Sequence, residues 1–381
     1  MKPRVVVSVV TFNSARYLAA CLKALEAQTY DNIEIRLWDN ASKDGSLEVA
    51  AAHNRALNIE ASKRNVGFCA AHNRLISSTI SEYVLVLNPD VELAPEYVGI
   101  LVQALEGDPS AGAATGRLSR WFPGGTGMQT NVEEGVLDTT GMYFTRNQRH
   151  LDRGAGNADR GQYGGREYVF GASGAAAFYR RAMLEDTRVG EEYFDESFFA
   201  YREDADLAWR AQWMGWRCLY VPEARGRHVR RVLPERRADL PPEINMHSFK
   251  NRFLLRIKNM DPGTYLRFLL PITARDLAAL GYVLVREPSS LRAFPSYSTR
   301  FPRRWRPAGR SAGKGERARG KSVPGSRTYP SRSQSRRPAD NNRRRYGRIR
   351  RQKSTGMLSR PSTAEISKLE GPGVRIAAYR R

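Results

Sequence analysis

Apolar and polar residues along the first half of the chain fall into blocks that predict strands and helices in alternation. Residues 5–10 form a short apolar run rich in β-branched residues, which is typical of a strand buried on both faces of a parallel sheet, and residues 33–38 form a second strand-like run. Between these runs, Leu18, Leu22 and Leu25 recur at the spacing of one helix face. The pattern predicts an α/β fold with a mostly parallel sheet flanked by helices.

A third apolar run, 83–87, ends abruptly in Asn88, Pro89 and Asp90. Ligands bind where parallel strands end, so a carboxylate at this position is placed to hold a metal ion. Carboxylate oxygens suit magnesium or manganese, which in turn can bridge the oxygens of a diphosphate. The alternative, from these residues alone, is a proline turn capped by an aspartate.

The second predicted strand ends in Asp39 and Asn40, where an acidic residue in nucleotide-binding α/β folds accepts hydrogen bonds from the nucleoside. The first strand is followed by TFNSARY, which contains neither a dinucleotide-binding glycine motif nor a P-loop. The charge of a bound phosphate must therefore be neutralised by another group, and a metal ion at Asp90 would do so. A plain turn aspartate is the competing explanation for Asp39.

An acidic and aromatic cluster in the second half predicts a catalytic carboxylate. Glu203, Asp204 and Asp206 stand at the start of a predicted helix, and five aromatic residues lie within 193–201. Acidic residues at a helix N-terminus also complement the helix dipole, so simple capping is the alternative. The aromatic density favours a partly dry setting in which a carboxylate can act as a base. His228 follows a strand-like segment, where a single histidine is more often structural than a ligand.

Residues 121–168 are rich in Gly, Asp, Asn and Arg and show no clear periodicity. Long aperiodic insertions in a compact domain are usually functional loops or disorder, and we expect this one to form an acceptor-side wall, part of it mobile. The FGASGA sequence that follows contains Gly171, Ser173 and Gly174, which would bring the backbone close to an acceptor. Small residues that pack at a strand crossing are an equally good explanation.

Beyond residue 230 the sequence predicts helices. Residues 247–259 place Phe249 and Phe253 on one face and basic residues elsewhere, a pattern that can lie on anionic lipid or simply face solvent. Residues 265–285 are apolar but are interrupted by charged residues, so no run reaches the roughly 20 apolar residues of a membrane span. We expect a helix pair here that lies on a surface or packs on the body.

The formal charge of +23 resides almost entirely in the C-terminal tail. Residues 301–381 hold 24 of the 62 Lys and Arg residues but only 4 of the 39 Asp and Glu residues, which leaves residues 1–300 nearly neutral. The tail is poor in apolar residues, so we expect it to be disordered. It is either a polybasic membrane-binding segment or the product of a shifted reading frame after about residue 295. Nucleic-acid binding through the tail is a remote alternative, because few aromatic residues interleave its charges.

Seven short motifs together carry a close family resemblance. They are VVTFN (9–13), WDNAS (38–42), RNVGF (64–68), NPDVEL (88–93), FGASGAAAFYRR (170–181), YREDADLAWR (201–210) and GRHVRR (226–231). In this combination the chain resembles the inverting family 2 glycosyltransferases, and it is most similar to bacterial rhamnosyltransferases. The resemblance covers roughly residues 4–292. It implies a GT-A fold, a nucleotide-diphosphate sugar donor and a divalent metal, magnesium or manganese.

The resemblance also implies roles for individual residues. Asp204 matches the catalytic base of the family, with Glu203 as its neighbour, and Asp90 and His228 match the residues that hold the metal. Asn88 departs from the pattern, because an amide replaces the first carboxylate of the D-x-D motif and lowers the charge at the metal. The expected donor-binding residues are Thr11, Asn13, Asp39, Asn40, Arg64, Asn65, Gly67, Asn73, Asn88 and Asp90, with Asp39 against the nucleobase.

The resemblance implies transfer of a sugar, in the first instance L-rhamnose from dTDP-rhamnose, to a hydroxyl of a lipid-linked saccharide in cell-wall or surface polysaccharide synthesis. The runner-up is another hexose, such as galactofuranose or N-acetylglucosamine, from a UDP-sugar. We expect a catalytic domain at 1–235, divided into a nucleotide-sugar half (1–118) and an acceptor half (119–235), then a helical segment at 236–295 and a basic tail at 296–381. Three cysteines without paired spacing fit a reducing cytoplasm. We therefore expect a peripheral protein at the inner face of the bacterial plasma membrane.

Overall fold

A computed structural model of the protein describes residues 1–53, 57–121, 135–230 and 241–293. The strands within these ranges are β1 Val5–Thr11, β2 Ile33–Asp39, β3 Asn58–Ala61, β4 Tyr83–Leu87, β5 Val91–Leu93, β6 Ala111–Arg120, β7 Leu137–Thr139, β8 Met142–Phe144, β9 His150–Asp152, β10 Glu167–Val169, β11 Ala176–Arg180 and β12 Arg217–His228. The helices are α1 Ala15–Glu26, α2 Ser46–Ala51, α3 Phe68–Ser77, α4 Tyr97–Glu106, α5 Arg181–Asp186, α6 Glu203–Trp213, α7 Pro242–Asn259, α8 Pro262–Arg267 and α9 Leu269–Arg286.

Ten strands form one sheet, in the order β10-β12-β6-β11-β4-β1-β2-β3, with β5 added to β12 and β7 to β6. Strands β3, β2, β1 and β4 run parallel to one another, as the continuous apolar runs of β1 and β4 predict, since both faces of these strands are covered. Strand β11 runs antiparallel to β4 and β6, and β6 and β12 are again parallel. The predicted α/β class with a mostly parallel central sheet is confirmed.

The direction of β11 brings two distant parts of the chain to one edge of the sheet. Ala176, at the start of β11, pairs with Leu87, at the end of β4. The N–H of Asn88 donates to the carbonyl oxygen of Ala175 at 2.9 Å. The loop before β11 therefore lies at the same edge as the carboxyl ends of β1, β2 and β4, where ligands bind in parallel sheets.

Helices cover both faces of the sheet and bury two apolar clusters. On one face, α1 and α4 pack in a cluster that includes Val7 of β1. On the other face, α3, α5, α6 and α7 pack in a cluster that includes Val86 of β4 and Leu254 of α7. Helix α7 thus shares the core of the sheet domain. The predicted domain boundary near residue 235 falls in 231–240, outside the described residues.

Helix α7 is held in the body by its charged residues, which differs from the expectation for 247–259. Arg256 Nη2 is 2.6 Å from Asp276 Oδ2, and Lys258 forms a buried ion pair with Asp195. Both basic side chains are buried. The expectation that they contact anionic lipid is wrong, because they compensate buried carboxylates inside the protein.

Helices α8 and α9 form the helix pair predicted at 265–285, and they leave much of their apolar surface exposed. Leu270, Leu277 and Val285 are 81%, 64% and 78% exposed, whereas Ile272 is buried. Within the described ranges, no helix is both long enough and apolar enough to cross a membrane. These two helices therefore present an apolar surface at the exterior of the protein.

Two other expectations concern residues that are not, or only partly, described. In the aperiodic stretch 121–168, residues 122–134 are not described. The rest forms the strands β7 to β10, of three residues each, and the expected acceptor-side wall stays a prediction. Such strands are too short for their periodicity to be recognised in the sequence. The basic tail at 296–381 lies wholly outside the described residues.

Candidate active site

The ends of β1 and β2 carry two buried polar atoms that the described residues leave unsatisfied. Thr11 and Asp39 are partners in the β1–β2 register, and both are buried. Asp39 Oδ2 accepts from the Ser42 N–H at 3.0 Å, but Asp39 Oδ1 and Thr11 Oγ1 have no partner among the described residues. Because buried polar atoms are almost always paired, this arrangement is typical of a site that a polar ligand completes.

Two asparagines shape the loops around these strand ends. Asn40 Oδ1 accepts from the Val66 N–H at 2.8 Å, and Asn40 Nδ2 donates to the carbonyl oxygen of Gly67 at 3.3 Å. On the other side, Asn13 Oδ1 accepts from the Lys43 N–H at 2.8 Å. The side chains of both predicted donor-binding asparagines are thus engaged in loop structure.

The loop 64–67 requires glycine at its last position. Gly67 has a φ of +88°, and an added Cβ would lie 2.6 Å from the Phe199 ring and 2.8 Å from the Phe199 carbonyl oxygen. Asn65 Oδ1 accepts from the Gly67 N–H at 2.9 Å, and Arg64 is exposed. The predicted donor loop therefore packs directly on the segment that leads to α6, and only glycine permits so close an approach.

Asn73 is fully engaged within the protein. Its Nδ2 donates to the Phe194 carbonyl oxygen at 2.7 Å and to Glu196 Oε1 at 3.2 Å. Its Oδ1 accepts from the N–H groups of Tyr193 and Phe194. The observed role of this side chain is to tie α3 to the segment 193–196, and a direct contact to the donor stays a prediction.

Asp90 and His228, the predicted metal ligands, face each other. Strand β12 pairs antiparallel with β5, which sets His228 beside Val91, and His228 Nε2 is 3.4 Å from Asp90 Oδ1. The other ring nitrogen, Nδ1, donates to Oδ2 of the buried Asp138 at 2.8 Å. Burial alone would lower the pKa of His228, but the carboxylates of Asp138 and Asp90 raise it to about 10.

The chemistry of this pair fits a divalent metal ion. A metal-bound histidine commonly donates its second ring N–H to a carboxylate that fixes its orientation, which is the relation of His228 to Asp138. A histidine must be neutral to bind a metal, so a cation between His228 and Asp90 would replace the proton held there. No group of three His, Cys, Asp or Glu residues gathers as a metal site in the described ranges. Asn88 adds no carboxylate, so diphosphate oxygens would have to complete the ligand set.

Asp138 lies beside the predicted metal ligands, but no pattern in the sequence marks it as part of the candidate site. It lies in β7 and also pairs with Arg230, whose Nε is 2.5 Å from Asp138 Oδ1. Arg230 Nη2 in turn is 2.5 Å from Oδ2 of Asp152, at the end of β9. Because β7 and β9 are each three residues long, no periodicity marks either aspartate in the sequence.

Asp204 is held by two backbone donors at the start of α6. The Gly174 N–H donates to Asp204 Oδ2 at 2.9 Å, and the Ala205 N–H donates to Asp204 Oδ1 at 2.8 Å. Burial raises the pKa of Asp204 above its usual range, while the two hydrogen bonds favour the charged form. An oriented carboxylate with a raised pKa is suited to act as a general base.

The neighbouring Glu203 is buried and has a different character. Its Oε2 has no hydrogen-bond partner in the part of the chain that the structure describes. Burial, followed by the negative charge of Asp204, raises the pKa of Glu203 well above its usual range. The surroundings of Glu203 therefore favour its neutral form, whereas two backbone N–H groups favour the charged form of Asp204. Neighbouring carboxyl groups with separated pKa values take separate roles.

The three predicted acceptor-side residues occupy different surroundings. Gly174 lies against Asp204, whose Oδ2 would be 3.4 Å from an added Cβ. Gly171 packs against α6, where an added Cβ would lie 2.4 Å from the Ala208 Cβ. Ser173 is buried just before β11. The packing explanation therefore applies to Gly171, whereas Gly174 positions the carboxylate, and contact of these residues with an acceptor stays a prediction.

The segment before Asp204 has an unusual backbone. Phe199, Tyr201 and Arg202 have φ angles of 65°, 71° and 72°, which cost of order 1–3 kcal/mol for each residue. The side chain of Asn251, buried in α7, holds this segment, because its Nδ2 lies 2.7 to 2.9 Å from three of the segment's carbonyl oxygens. Helix α7 thus maintains the strained segment that leads to Asp204, the predicted base, and no pattern in the sequence indicates this role.

The fold and these residues define the class of the protein. Residues 6–188 match the family model described as Glycosyl transferase family 2, and the chain therefore carries a family 2 glycosyltransferase domain. The crystal structure of GalNAc-T7 with UDP, GalNAc and Mn2+ is similar in fold, with a TM-score of 0.51 and 14% sequence identity. That similarity covers 67% of this chain and 48% of the other. The predicted family and GT-A fold are confirmed, and the protein is a glycosyltransferase.

Two relatives with specific names allow a more detailed comparison of the reaction. The chain is 29% identical over 235 residues to the N-acetylglucosaminyl-diphospho-decaprenol L-rhamnosyltransferase of Mycobacterium tuberculosis, across 58% of this chain and 74% of that protein. It is 33% identical over 111 residues to the cholesterol galactosyltransferase of Borreliella burgdorferi, across 29% of this chain and 31% of that protein. The names of these relatives give different sugars, so the comparison establishes the class of reaction and leaves the donor to be proposed.

Asn251→Ala is expected to lower kcat by about tenfold or more with little change in the KM of the donor, because the strained segment relaxes and Asp204 loses its position. Steady-state kinetics with a fixed donor and acceptor measure this separation. Leu254→Ala is the matched control on the same helix, since it should lower the free energy of unfolding by about 2–5 kcal/mol and preserve kcat. An equal loss of kcat in both variants would contradict a positioning role for Asn251.

Proposed function

We propose that the protein is an inverting glycosyltransferase that transfers L-rhamnose from dTDP-rhamnose to a hydroxyl group of a lipid-linked saccharide, in the synthesis of cell-wall or surface polysaccharide. The similarity to a mycobacterial rhamnosyltransferase, whose name gives a lipid-linked N-acetylglucosamine, supports this choice. The observation that carries the chemistry is Asp204, a buried carboxylate held by two backbone N–H groups.

In this proposal Asp204 acts as the general base. The acceptor hydroxyl has a pKa far above 7, so it must lose its proton as its oxygen attacks the anomeric carbon, and Asp204 accepts that proton. The nucleoside diphosphate leaves from the opposite side with the bonding electron pair, so a single displacement inverts the anomeric centre. Because no glycosyl-enzyme forms, no second ionised carboxylate is needed.

The donor would bind along the edge formed by β1, β2 and β4. The unsatisfied Asp39 Oδ1 and Thr11 Oγ1 offer hydrogen bonds to the nucleoside. Asp90 and His228 would hold the divalent metal, and that metal, when bound, stabilises the negative charge of the departing diphosphate. Asp138 keeps the His228 ring in the orientation that this role requires.

Calorimetric titration of dTDP-rhamnose and of UDP-hexoses, with and without manganese, tests the proposed donor. We expect metal-dependent binding of dTDP-rhamnose, weakened by at least about tenfold in Asp90→Ala because the diphosphate loses its metal. Asp31→Ala, which removes an exposed aspartate paired with Lys2, is the control and should bind like the native protein. Binding of a UDP-sugar instead would replace rhamnose with the runner-up, a hexose such as galactofuranose or N-acetylglucosamine.

We further propose that the protein reaches its lipid-linked acceptor by attaching to the anionic inner face of the plasma membrane through α9. Leu270, Leu277 and Leu284 are exposed and recur every seven residues, so they lie along one face of this helix. Arg267 and Arg286 are exposed at the two ends of this surface. Apolar residues flanked by cations are typical of helices that lie in the headgroup region of a bilayer. The proposal assigns membrane attachment to α9 instead of α7.

Flotation with vesicles of phosphatidylglycerol and phosphatidylcholine tests the membrane proposal. The double variant Leu270→Asp/Leu277→Asp should reduce vesicle binding by more than about tenfold, because two leucine side chains can no longer enter the bilayer. Ile80→Asp, which changes an isolated exposed apolar residue on another surface, should bind like the native protein. Unchanged binding of the double variant, which keeps the basic tail, would assign attachment to the tail and contradict the role of α9.

A further inference from the structure

Four arginine side chains from separate parts of the chain are close enough to act on one another's charge, and one of them, Arg202, lies two residues before Asp204. They are Arg149, between β8 and β9, Arg202, directly before α6, Arg252, on α7, and Arg275, on α9. Their mutual influence is strong: burial, and then the charges of the other three arginines, lower the pKa of Arg202 to about 9. The pKa of Arg275 is likewise lowered by burial and by Arg149. We refer to these four residues as the arginine cluster.

Three of the four arginines lack an ion pair among the described residues. In the described parts of the chain, Arg149, Arg202 and Arg275 have no carboxylate oxygen within 4.0 Å, whereas the neighbouring Arg230 and Arg256 both do. The partner of Arg202 is a neutral group: its Nη1 donates to Nδ1 of His150 at 2.9 Å. Burial, followed by the charges of Arg202 and Arg149, keeps the pKa of His150 well below its usual value, which favours the neutral ring. A neutral imidazole does not compensate the charge of the arginines.

The backbone is arranged to hold Arg202 in this position. Arg202 has a left-handed conformation, with a φ of 72°, and the segment before it is held by Asn251. The Arg202 Nε is buried without a hydrogen-bond partner among the described residues. A strained residue whose buried N–H group has no hydrogen-bond acceptor is typical of a ligand site, because neither the strain nor the unpaired N–H group stabilises the fold.

We propose that the arginine cluster binds the diphosphate group of the acceptor while Asp204 acts on a hydroxyl group of the same sugar. This inference rests on the proposed function, in which the acceptor is a lipid-linked saccharide. If its lipid linkage is a diphosphate, that group and the reacting hydroxyl are carried on one ring, so an anion site must lie one ring away from the base. Arg202 is two residues from Asp204, and guanidinium groups bind phosphate oxygens with paired hydrogen bonds.

The position of Arg275 connects this site to the membrane surface proposed above. Arg275 is half-buried on α9, the helix whose other face exposes Leu270 and Leu277. A diphosphate at Arg275 therefore leaves the lipid chain beside an apolar surface that faces the bilayer. Helix α9 would thus contact both the charged diphosphate and the apolar lipid chain of the acceptor.

Two acceptors that differ only in charge test the proposal: N-acetylglucosamine linked through a diphosphate to an octyl chain, and octyl N-acetylglucosaminide. The native enzyme should prefer the diphosphate acceptor. Arg149→Gln and Arg275→Gln should each lower kcat/KM for that acceptor by about tenfold or more, with no change for the neutral acceptor or in the Kd of dTDP. Arg146→Gln, which changes an exposed arginine in the same loop as Arg149, is the matched control and should leave both values unchanged.

The outcomes separate this inference from the proposed function. Equal losses on the two acceptors would overturn it, since the arginines would then only support the fold, and a weaker Kd for dTDP would assign them to the donor instead. If no acceptor is turned over, the anion site can still be tested by calorimetric titration of inorganic pyrophosphate in the presence of EDTA. EDTA removes the metal, so a metal-dependent donor site does not bind pyrophosphate under these conditions. Binding that is lost in Arg149→Gln and Arg275→Gln would support the anion site even if the proposed function fails. Absence of binding to the native protein would overturn it.

Discussion

Asp204→Asn is expected to lower kcat by about 10²- to 10⁴-fold, the usual contribution of a general base. The amide keeps the shape of the side chain, although its single oxygen can accept from only one of the two backbone N–H groups of Gly174 and Ala205, and it cannot take the proton of the acceptor hydroxyl. Donor binding should be unchanged, because the donor is assigned to the edge formed by β1, β2 and β4. Release of the nucleoside diphosphate, followed with saturating donor and acceptor, measures the effect.

Glu203→Gln is the matched control, since it exchanges the neighbouring carboxyl for a neutral amide of the same shape. We expect a loss of less than about tenfold in kcat, because the general base is assigned to Asp204, which the two backbone N–H groups orient. A loss as large as that of Asp204→Asn would show that the base is Glu203.

The pH profile of kcat gives an independent check of the base. Asp204 must be deprotonated to act, and burial raises its pKa. Activity should therefore be complete above this raised pKa and fall as the pH drops through it, at a higher pH than for an ordinary aspartate. The residual rate of Asp204→Asn should lack this acidic decline, and a decline identical to that of the native enzyme would contradict the assignment.

Asp138→Ala is expected to lower the free energy of unfolding by about 3–5 kcal/mol, because it leaves Arg230 and the charged His228 buried without their shared partner. It should also weaken metal-dependent donor binding by about 10- to 100-fold, the usual effect of removing the carboxylate that orients a metal-bound histidine. Urea unfolding measures the first effect, and manganese titration in the presence of the donor measures the second.

Two further variants are needed to interpret the result for Asp138→Ala. Asp31→Ala removes an exposed ion pair with Lys2 and should cost less than about 1 kcal/mol, which calibrates the effect of burial. Asp138→Asn keeps the shape of the side chain, so it should recover part of the stability but not the full metal affinity. If Asp138→Ala is destabilised and yet binds manganese and donor like the native protein, Asp138 supports the fold only.

Much of the site could be located from the sequence because its parts lie at the ends of strongly patterned elements. Asp39 and Asp90 follow apolar strands, and Asp204 begins a helix with a clear apolar face, so local periodicity was sufficient to find them. The departure at Asn88 is also visible in the sequence alone. The structure adds that Asn40 and Asn73 are engaged in hydrogen bonds that hold the loops around the site.

The α/β class, the strand ends that bear acidic residues and the family could be predicted from the chain alone, because these depend on local patterns and short motifs. The contacts between elements, by contrast, are set by the folded arrangement. The antiparallel entry of β11 brings Gly174 to Asp204, β7 sets Asp138 behind His228, and α7 places Asn251 against the strained segment. Periodicity reports which face of an element is buried but not which distant element covers it. Contacts between residues far apart in the chain, including the arginine cluster, therefore appear only when the chain is folded.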